Sequence, residues 1–215
     1  MAVNTEVYQR VRGALSSSVT LVAVSKFKPV ADIQALYDEG QRDFGENYVQ
    51  ELLEKQPLLP PDTRWHFIGH LQSNKVKYIA PFVHLVQGVD SYSLLKEINK
   101  HASKAGRVID CLLQVHIARE ETKFGFDADE LKDVLHEYTS LPHVRLRGLM
   151  GMASNTSDRI LIREEFAGLK HLFDHYRTRI EGWDTLSMGM SIDYAIAVEE
   201  GATMVRIGSL LFGAR

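Results

Sequence analysis

The chain has one cysteine, Cys111, among its 215 residues, so no internal disulfide is open to it. It also lacks an excess of charge: 25 Lys and Arg stand against 28 Asp and Glu, a formal net charge of −3 at pH 7. That balance gives none of the basic footprint with which a domain holds nucleic-acid phosphates, so nucleic acid is not the expected partner. No stretch approaches the roughly 18 uninterrupted apolar residues of a membrane-spanning helix. The opening MAVNTEVYQR has no basic-then-apolar secretory pattern. A cytoplasmic location without membrane contact is the expectation. Two fingerprints are missing as well: the glycine pattern of a dinucleotide-binding crossover after the first strand, and the glycine and lysine loop that cradles nucleotide phosphates. What remains is an ordinary composition, 45% hydrophobic and 25% charged, at a length that suits one core. A single domain over residues 1–215 is expected.

Short runs rich in Val, Ile, Leu and Phe alternate with longer stretches of helical spacing, the pattern of βαβ units. Val3, Val7, Val11 and Leu15 are four apart and predict a first amphipathic helix. Strands are expected at Thr20 to Ser25, Arg42 to Phe44, Trp65 to Ile68, Phe82 to Val86, Val108 to Ile117, Val144 to Leu149, Thr185 to Met188 and Thr203 to Ile207. Helices are expected over Val30 to Glu39, from about Asn47 to Lys55, through Lys77, along the face Leu94, Leu95, Ile98 and Ala102, and from about Ala128 to Tyr138. A further one carries Ile162, Phe166, Leu169, Phe173 and Tyr176 on one face. Eight such alternations predict a single-domain (β/α)8 TIM barrel. An open doubly wound sheet is the alternative.

In a barrel, chemistry sits where strands run into loops at the carboxyl face. The first strand ends at Lys26, where desolvation favours the neutral amine that attacks aldehydes to form a Schiff base. A solvated strand-end lysine is the competing reading. Lys28, before Pro29, belongs to the loop. Gly45 permits a turn after the second strand, and Asn47 either caps the following helix or turns its amide to a ligand. Near the C-terminus, two strands pass through Gly189 and Gly208 into Ser191 and Ser209 at expected helix starts, where unpaired N–H groups suit an anion. Phosphate sites in barrels commonly use these last two loops. Arg206, between Val205 and Ile207, points either to solvent or to a partner inside the barrel. His66 and His70 are four apart, but Gly69 and the run HFI speak against a shared helix face, and no third ligand is apparent for a metal. Glu120 and Glu121 read as a solvated loop face, and Cys111 as a buried, inert thiol.

The blocks LVAVSKFKP, FGENYVQE, WHFIGHLQSNK, RGLMGM, LSMGMSIDY and GATMVRIGSLLFG occur in order over residues 21 to 213. Together they resemble the signature of the pyridoxal phosphate homeostasis protein family of the YggS and PipY type. The resemblance implies a barrel of the alanine racemase N-terminal-domain type that binds pyridoxal 5′-phosphate (PLP) as an internal aldimine. By position, Lys26 matches the aldimine lysine and Arg206 the arginine facing the pyridine nitrogen. A cation there would keep that nitrogen unprotonated and weaken the ring as an electron sink. Ser191, Gly208 and Ser209 match the phosphate site, and Asn47 a residue beside the cofactor. Lys123, in TKFGF, matches a second lysine proposed in relatives to receive or release PLP, with a surface lysine as the plain alternative.

The implied function is intracellular PLP (vitamin B6) and amino-acid homeostasis without demonstrated catalysis. The alternative is a small PLP-dependent amino-acid racemase or lyase. Racemases of this fold continue past the barrel into a domain whose tyrosine, from a second subunit, is the opposite-face base. Here the sequence ends at Arg215, so the expectation is a non-catalytic monomer whose possible partners are PLP and apo PLP-dependent enzymes.

Overall fold

The fold is given by a computed structural model that describes residues 3–120 and 124–213. Eight parallel strands close in sequence order: β1 (Thr20–Val24), β2 (Asp43–Glu46), β3 (Arg64–Phe67), β4 (Leu85–Val89), β5 (Ile109–Val115), β6 (Val144–Gly151), β7 (Thr185–Ser187) and β8 (Met204–Ile207), with β8 pairing back onto β1. Closure leaves no free sheet edge, and helices cover the outside. They are α1 (Thr5–Ala14), α2 (Val30–Asp38), α3 (Val49–Lys55), α4 (Val76–Ile79), α5 (Tyr92–Lys104), α6 (Ala128–Glu137), α7 (Arg159–Arg177), α8 (Tyr194–Glu199) and α9 (Ser209–Phe212). Among the described residues, no helix is long and apolar enough to cross a membrane.

Local chemistry marks the helix starts. Asn4, Ser91 and Asp158 accept first-turn N–H bonds of α1, α5 and α7, and Asp127 with Glu130 forms a reciprocal capping box on α6. Periodicity then chooses the buried face: Leu94, Leu95, Ile98 and Ala102 of α5, and Ile162, Phe166, Leu169 and Phe173 of α7, pack on the strands. Each such side chain contributes about 1.5–3 kcal/mol by leaving water. This outer layer is separate from a small apolar cluster inside the barrel, Val22, Leu85, Leu112, Met150 and Met204. In β6, Leu112 pairs with Gly148 directly after Cys111 pairs with Leu146, which leaves Arg147 as the extra residue of a bulge. Gly148 lies at φ +148°, and a Cβ there would meet Thr185 O at 1.9 Å, so only glycine fits.

Four expectations need correction. The fourth strand begins at Leu85, three residues after Phe82. Gly45 does not make a turn; it lies within β2, which continues to Glu46. The segment leading through Lys77 is a 3₁₀ turn at Ser73–Lys75 running into the short α4. Ser191 does not start a helix, since α8 begins at Tyr194 after Asp193.

Candidate functional site

Lys26 follows β1 one residue after its end, beyond Ser25, and its neighbours are tied down. Ser25, fully buried, donates its hydroxyl to Glu46 Oε1 at 2.6 Å, and its carbonyl accepts from Lys55 Nζ at 2.8 Å. On the other side, Phe27 takes φ 62°, rare for a side chain with a Cβ, while its N–H donates to Glu51 Oε1 at 2.5 Å. Lys55 Nζ joins both acids, 2.8 Å from Glu46 and 2.6 Å from Glu51. Burial raises the Glu46 carboxyl above its ordinary range, against the pull of Lys55 and Ser25. Sequence reasoning missed this clamp. Its signal was the i, i+4 spacing of Glu51 and Lys55.

Lys26 lines a cavity of ≈ 290 Å³ at the carboxyl mouth, together with Ser191, Arg206, Gly208 and Ser209. Lys28 lines it too, but its Nζ donates to the carbonyls of Phe212 (2.9 Å) and Gly213 (3.3 Å). Arg206 resolves in favour of the barrel interior: it is 4% exposed, with Nη1 donating to Ser187 Oγ (2.6 Å) and Nη2 to Gly151 O (3.0 Å). Burial pushes its pKa down to about 10, opposed by the Asp193 carboxylate, so it stays charged at neutral pH. The Gly208 N–H donates to Ser191 Oγ at 3.3 Å, which joins the last two loops. A Cβ on Gly208 would lie 3.2 Å from Val24 Cβ, so glycine lets β8 run close beside β1.

Asn47 is not gathered with these residues. The helix cap is Tyr48, without a side-chain bond, and Asn47 lines a neighbouring cavity of ≈ 500 Å³ with Tyr48, His70 and Lys75. Its Oδ1 is buried and meets no donor among the described residues. Lys123 and Glu121 lie outside the described residues. Glu120 is half-buried and accepts the Asn155 N–H at 2.8 Å, so it is no solvated face. Cys111 is fully buried, and burial pushes its thiol pKa well up.

His66 and His70 face different ends. His70 bonds Asp90 (2.8 Å) and stacks on Phe124, whereas His66 points inward to Asp43 (2.9 Å). Around His66 a third group does exist: donor atoms of Asp43, His66 and His84 lie within 4.8 Å of one another. They line a second cavity, also ≈ 290 Å³, at the amino mouth. Arg64 grips Asp43 there side-on, through Nε (2.8 Å) and Nη2 (2.5 Å), and Asp110 is held by Arg145 (2.6 Å) and Arg147 (2.8 Å).

The chain matches the family described as "Alanine racemase, N-terminal domain" over residues 5–215. It is 41% identical over 206 residues to the pyridoxal phosphate homeostasis protein of Pasteurella multocida, covering 93% of this chain and 88% of that one. PipY of Synechococcus elongatus, solved with PLP bound, superposes with a TM-score of 0.89 at 37% identity, over 97% of this chain and 99% of PipY. Alanine racemase of Clostridium difficile shares the fold alone: TM-score 0.80 at 13% identity, with 56% of its length covered. On its sequence, its closed barrel and these likenesses, the chain belongs to the pyridoxal phosphate homeostasis protein family.

Proposed function

We propose that this protein binds PLP at the carboxyl mouth and holds it for delivery, serving PLP and amino-acid homeostasis without turnover of its own. The observation that carries this reading is the convergence of Lys26, Ser191, Arg206, Gly208 and Ser209 on one cavity in a member of this family. The residues fit the group. At ≈ 290 Å³ the cavity sits near the lower end of the roughly 300–1,000 Å³ usual for small-molecule sites. When bound, PLP supplies an aldehyde that condenses with a primary amine and releases water.

Lys26 is the amine suited to that role, since it lines the cavity just after β1 and matches by position the family's aldimine lysine. Ser191 and the first-turn N–H groups at Gly208 and Ser209 suit the phosphate, because such groups have no partner within their helix. Arg206 can only donate and stays charged, so it suits an unprotonated ring nitrogen. Among the described lining residues there is no carboxylate, imidazole or phenol. Proton transfer on both faces of a carbon needs two groups, and apart from Lys26 the described wall offers only Lys28, bonded to two carbonyls, and the charged Arg206, which supports holding over turnover. Asn47 would act from the adjoining cavity, and Lys123 as a second lysine for transfer. Apo PLP-dependent enzymes in the cytoplasm are the partner class this implies. A monomer suffices, since one chain supplies these walls.

The test is the visible spectrum of wild type and Lys26→Ala after PLP addition and desalting, with borohydride reduction, peptide mass spectrometry and an amino-acid racemisation assay. A band retained by wild type, lost in the variant, with the reduced pyridoxyl group on Lys26 and no turnover, is expected. No retained band in wild type overturns the reading. Turnover abolished by Lys26→Ala moves the protein to the racemase or lyase class.

A further inference from the structure

A line of four hydrogen bonds links the two mouths through the barrel interior. Arg206 Nη1 donates to Ser187 Oγ (2.6 Å), Ser187 to Gln87 Oε1 (2.7 Å), Gln87 Nε2 to His66 Nδ1 (3.0 Å), and His66 Nε2 to Asp43 Oδ1 (2.9 Å). Every member is buried, Ser187 and Gln87 completely. Burial pushes the Asp43 carboxyl up, but hydrogen bonds from Arg64 and His66 together outweigh it and hold Asp43 well below the usual carboxylate range.

A guanidinium offers only donors and an ionised carboxylate only acceptors. Between these ends, the Ser187 donation to Gln87 Oε1 sets one direction for the remaining links. Ser187 must pass its proton to Gln87, Gln87 must turn its oxygen to Ser187 and its nitrogen to His66, and His66 must be the tautomer protonated at Nε2. Reversing the links would require a doubly protonated His66 and would take the Gln87 acceptor away from the buried Ser187 hydroxyl proton, and an unmet buried group is costly. The same direction commits His66 Nε2 to donation, so the Asp43, His66 and His84 group lacks the imidazole lone pair a metal would need there.

We propose that Gln87, His66 and Asp43 are positioning residues for Arg206: hydrogen-bond order set at the amino mouth holds the guanidinium in the place where it meets the cofactor ring at the other. This rests on the reading that PLP occupies the carboxyl-mouth cavity. Among the described residues Arg206 has two acceptors, the Ser187 hydroxyl and the Gly151 carbonyl, and the first is aligned by the chain behind it. Without Gln87, the Ser187 hydroxyl is free to rotate, and the acceptor under Nη1 is no longer fixed.

The experiment uses the full chain loaded with PLP. Gln87→Met removes the amide's links to Ser187 and His66, along with its Nε2 contact to Met204 Sδ (3.2 Å), at similar volume and outside the cavity wall, and His66→Phe removes both ring nitrogens. Met150→Leu, in the interior cluster but outside the line, is the control. Both line variants are expected to bind PLP about tenfold more weakly, the scale of one hydrogen bond to a charged group. They also shift the absorption maximum of the bound cofactor, which a merely structural loss would leave in place. The control shifts neither. In the cofactor-free wild type, ¹⁵N NMR is expected to show His66 protonated at Nε2 alone, and Ser187→Ala to move its ring shifts. Unchanged affinity and maximum in a folded Gln87→Met protein overturn the proposal, as does a His66 protonated at Nδ1. If wild type retains no PLP, the cavity reading fails by itself. The NMR arm then decides the line: His66 shifts indifferent to Ser187→Ala would break it.

Discussion

The two mouths of this barrel enclose cavities of equal volume, ≈ 290 Å³ each, and differ in how their charges are met. At the amino mouth Asp43 is paired by Arg64 and His66, and Asp110 by Arg145 and Arg147, with Arg147 also reaching Asp184. At the carboxyl mouth the wall carries three cationic side chains, Lys26, Lys28 and Arg206, and among the described residues no carboxylate. Volume therefore says nothing about which end binds a ligand. A surplus of donors and positive charge, gathered at strand ends, marks the end that suits an anionic molecule. Ion pairs closed on one another mark the end that secures the fold, in line with the usual division of a barrel into a functional carboxyl face and a stabilising amino face.

The sharpest break of this comparison is expected from Lys55→Met. It leaves the fully buried Glu46 without its cation, at a cost of about 3–5 kcal/mol in denaturant unfolding. It also frees the Ser25 carbonyl and lets Glu51 leave Phe27, so PLP retention falls along with stability. At the opposite mouth Asp110→Asn loosens two half-exposed arginines, and about 1–3 kcal/mol is expected to be lost in the same assay. PLP affinity there should stay unchanged, and a matching loss of affinity would erase the distinction between the mouths.

The smallest effect is a pH dependence. Desolvation in the amino-mouth cavity and the neighbouring His66 push His84 from the ordinary 6.5 down to about 4, though the residue is exposed overall and solvent screens the consequence for stability. The unfolded chain takes up this proton near pH 6.5 while the folded one resists until about 4, so stability is full above 6.5 and declines as pH falls through that window. Thermal midpoints of His84→Gln are expected to be flatter than wild type between those values. Parallel curves would remove His84 from the account.

Most of the barrel was legible because its signals are local. α5 and α7 repeat apolar residues at helical spacing, and β5, buried at all seven positions, is apolar at all but Asp110 and Gln114. The fourth strand was misplaced for a local reason too. Gln87 and Gly88 dilute its apolar pattern, and Gln87 is polar because it belongs to the interior line of hydrogen bonds. Asn47 failed as a cap because the chain stays extended through Tyr48 before turning, a matter of how the loop after β2 packs. The Glu46, Glu51 and Lys55 clamp lies within one block of sequence, yet its purpose depends on Ser25 and Phe27, more than 20 positions away.

The sequence by itself determined the alternation of strands and helices and placed Lys26 at the end of the first strand, since both follow from periodicity and chain order. Only the tertiary structure decided that Arg206 faces inward, that Lys28 is spent on the carbonyls of Phe212 and Gly213, and that Asp43 and Arg206 close the two ends of one line. The reason is that a strand in a closed barrel is buried on both faces. A period of two shows which residues share a face, and closure alone shows whether that face looks to the helices or to the interior, where residues distant in sequence become partners.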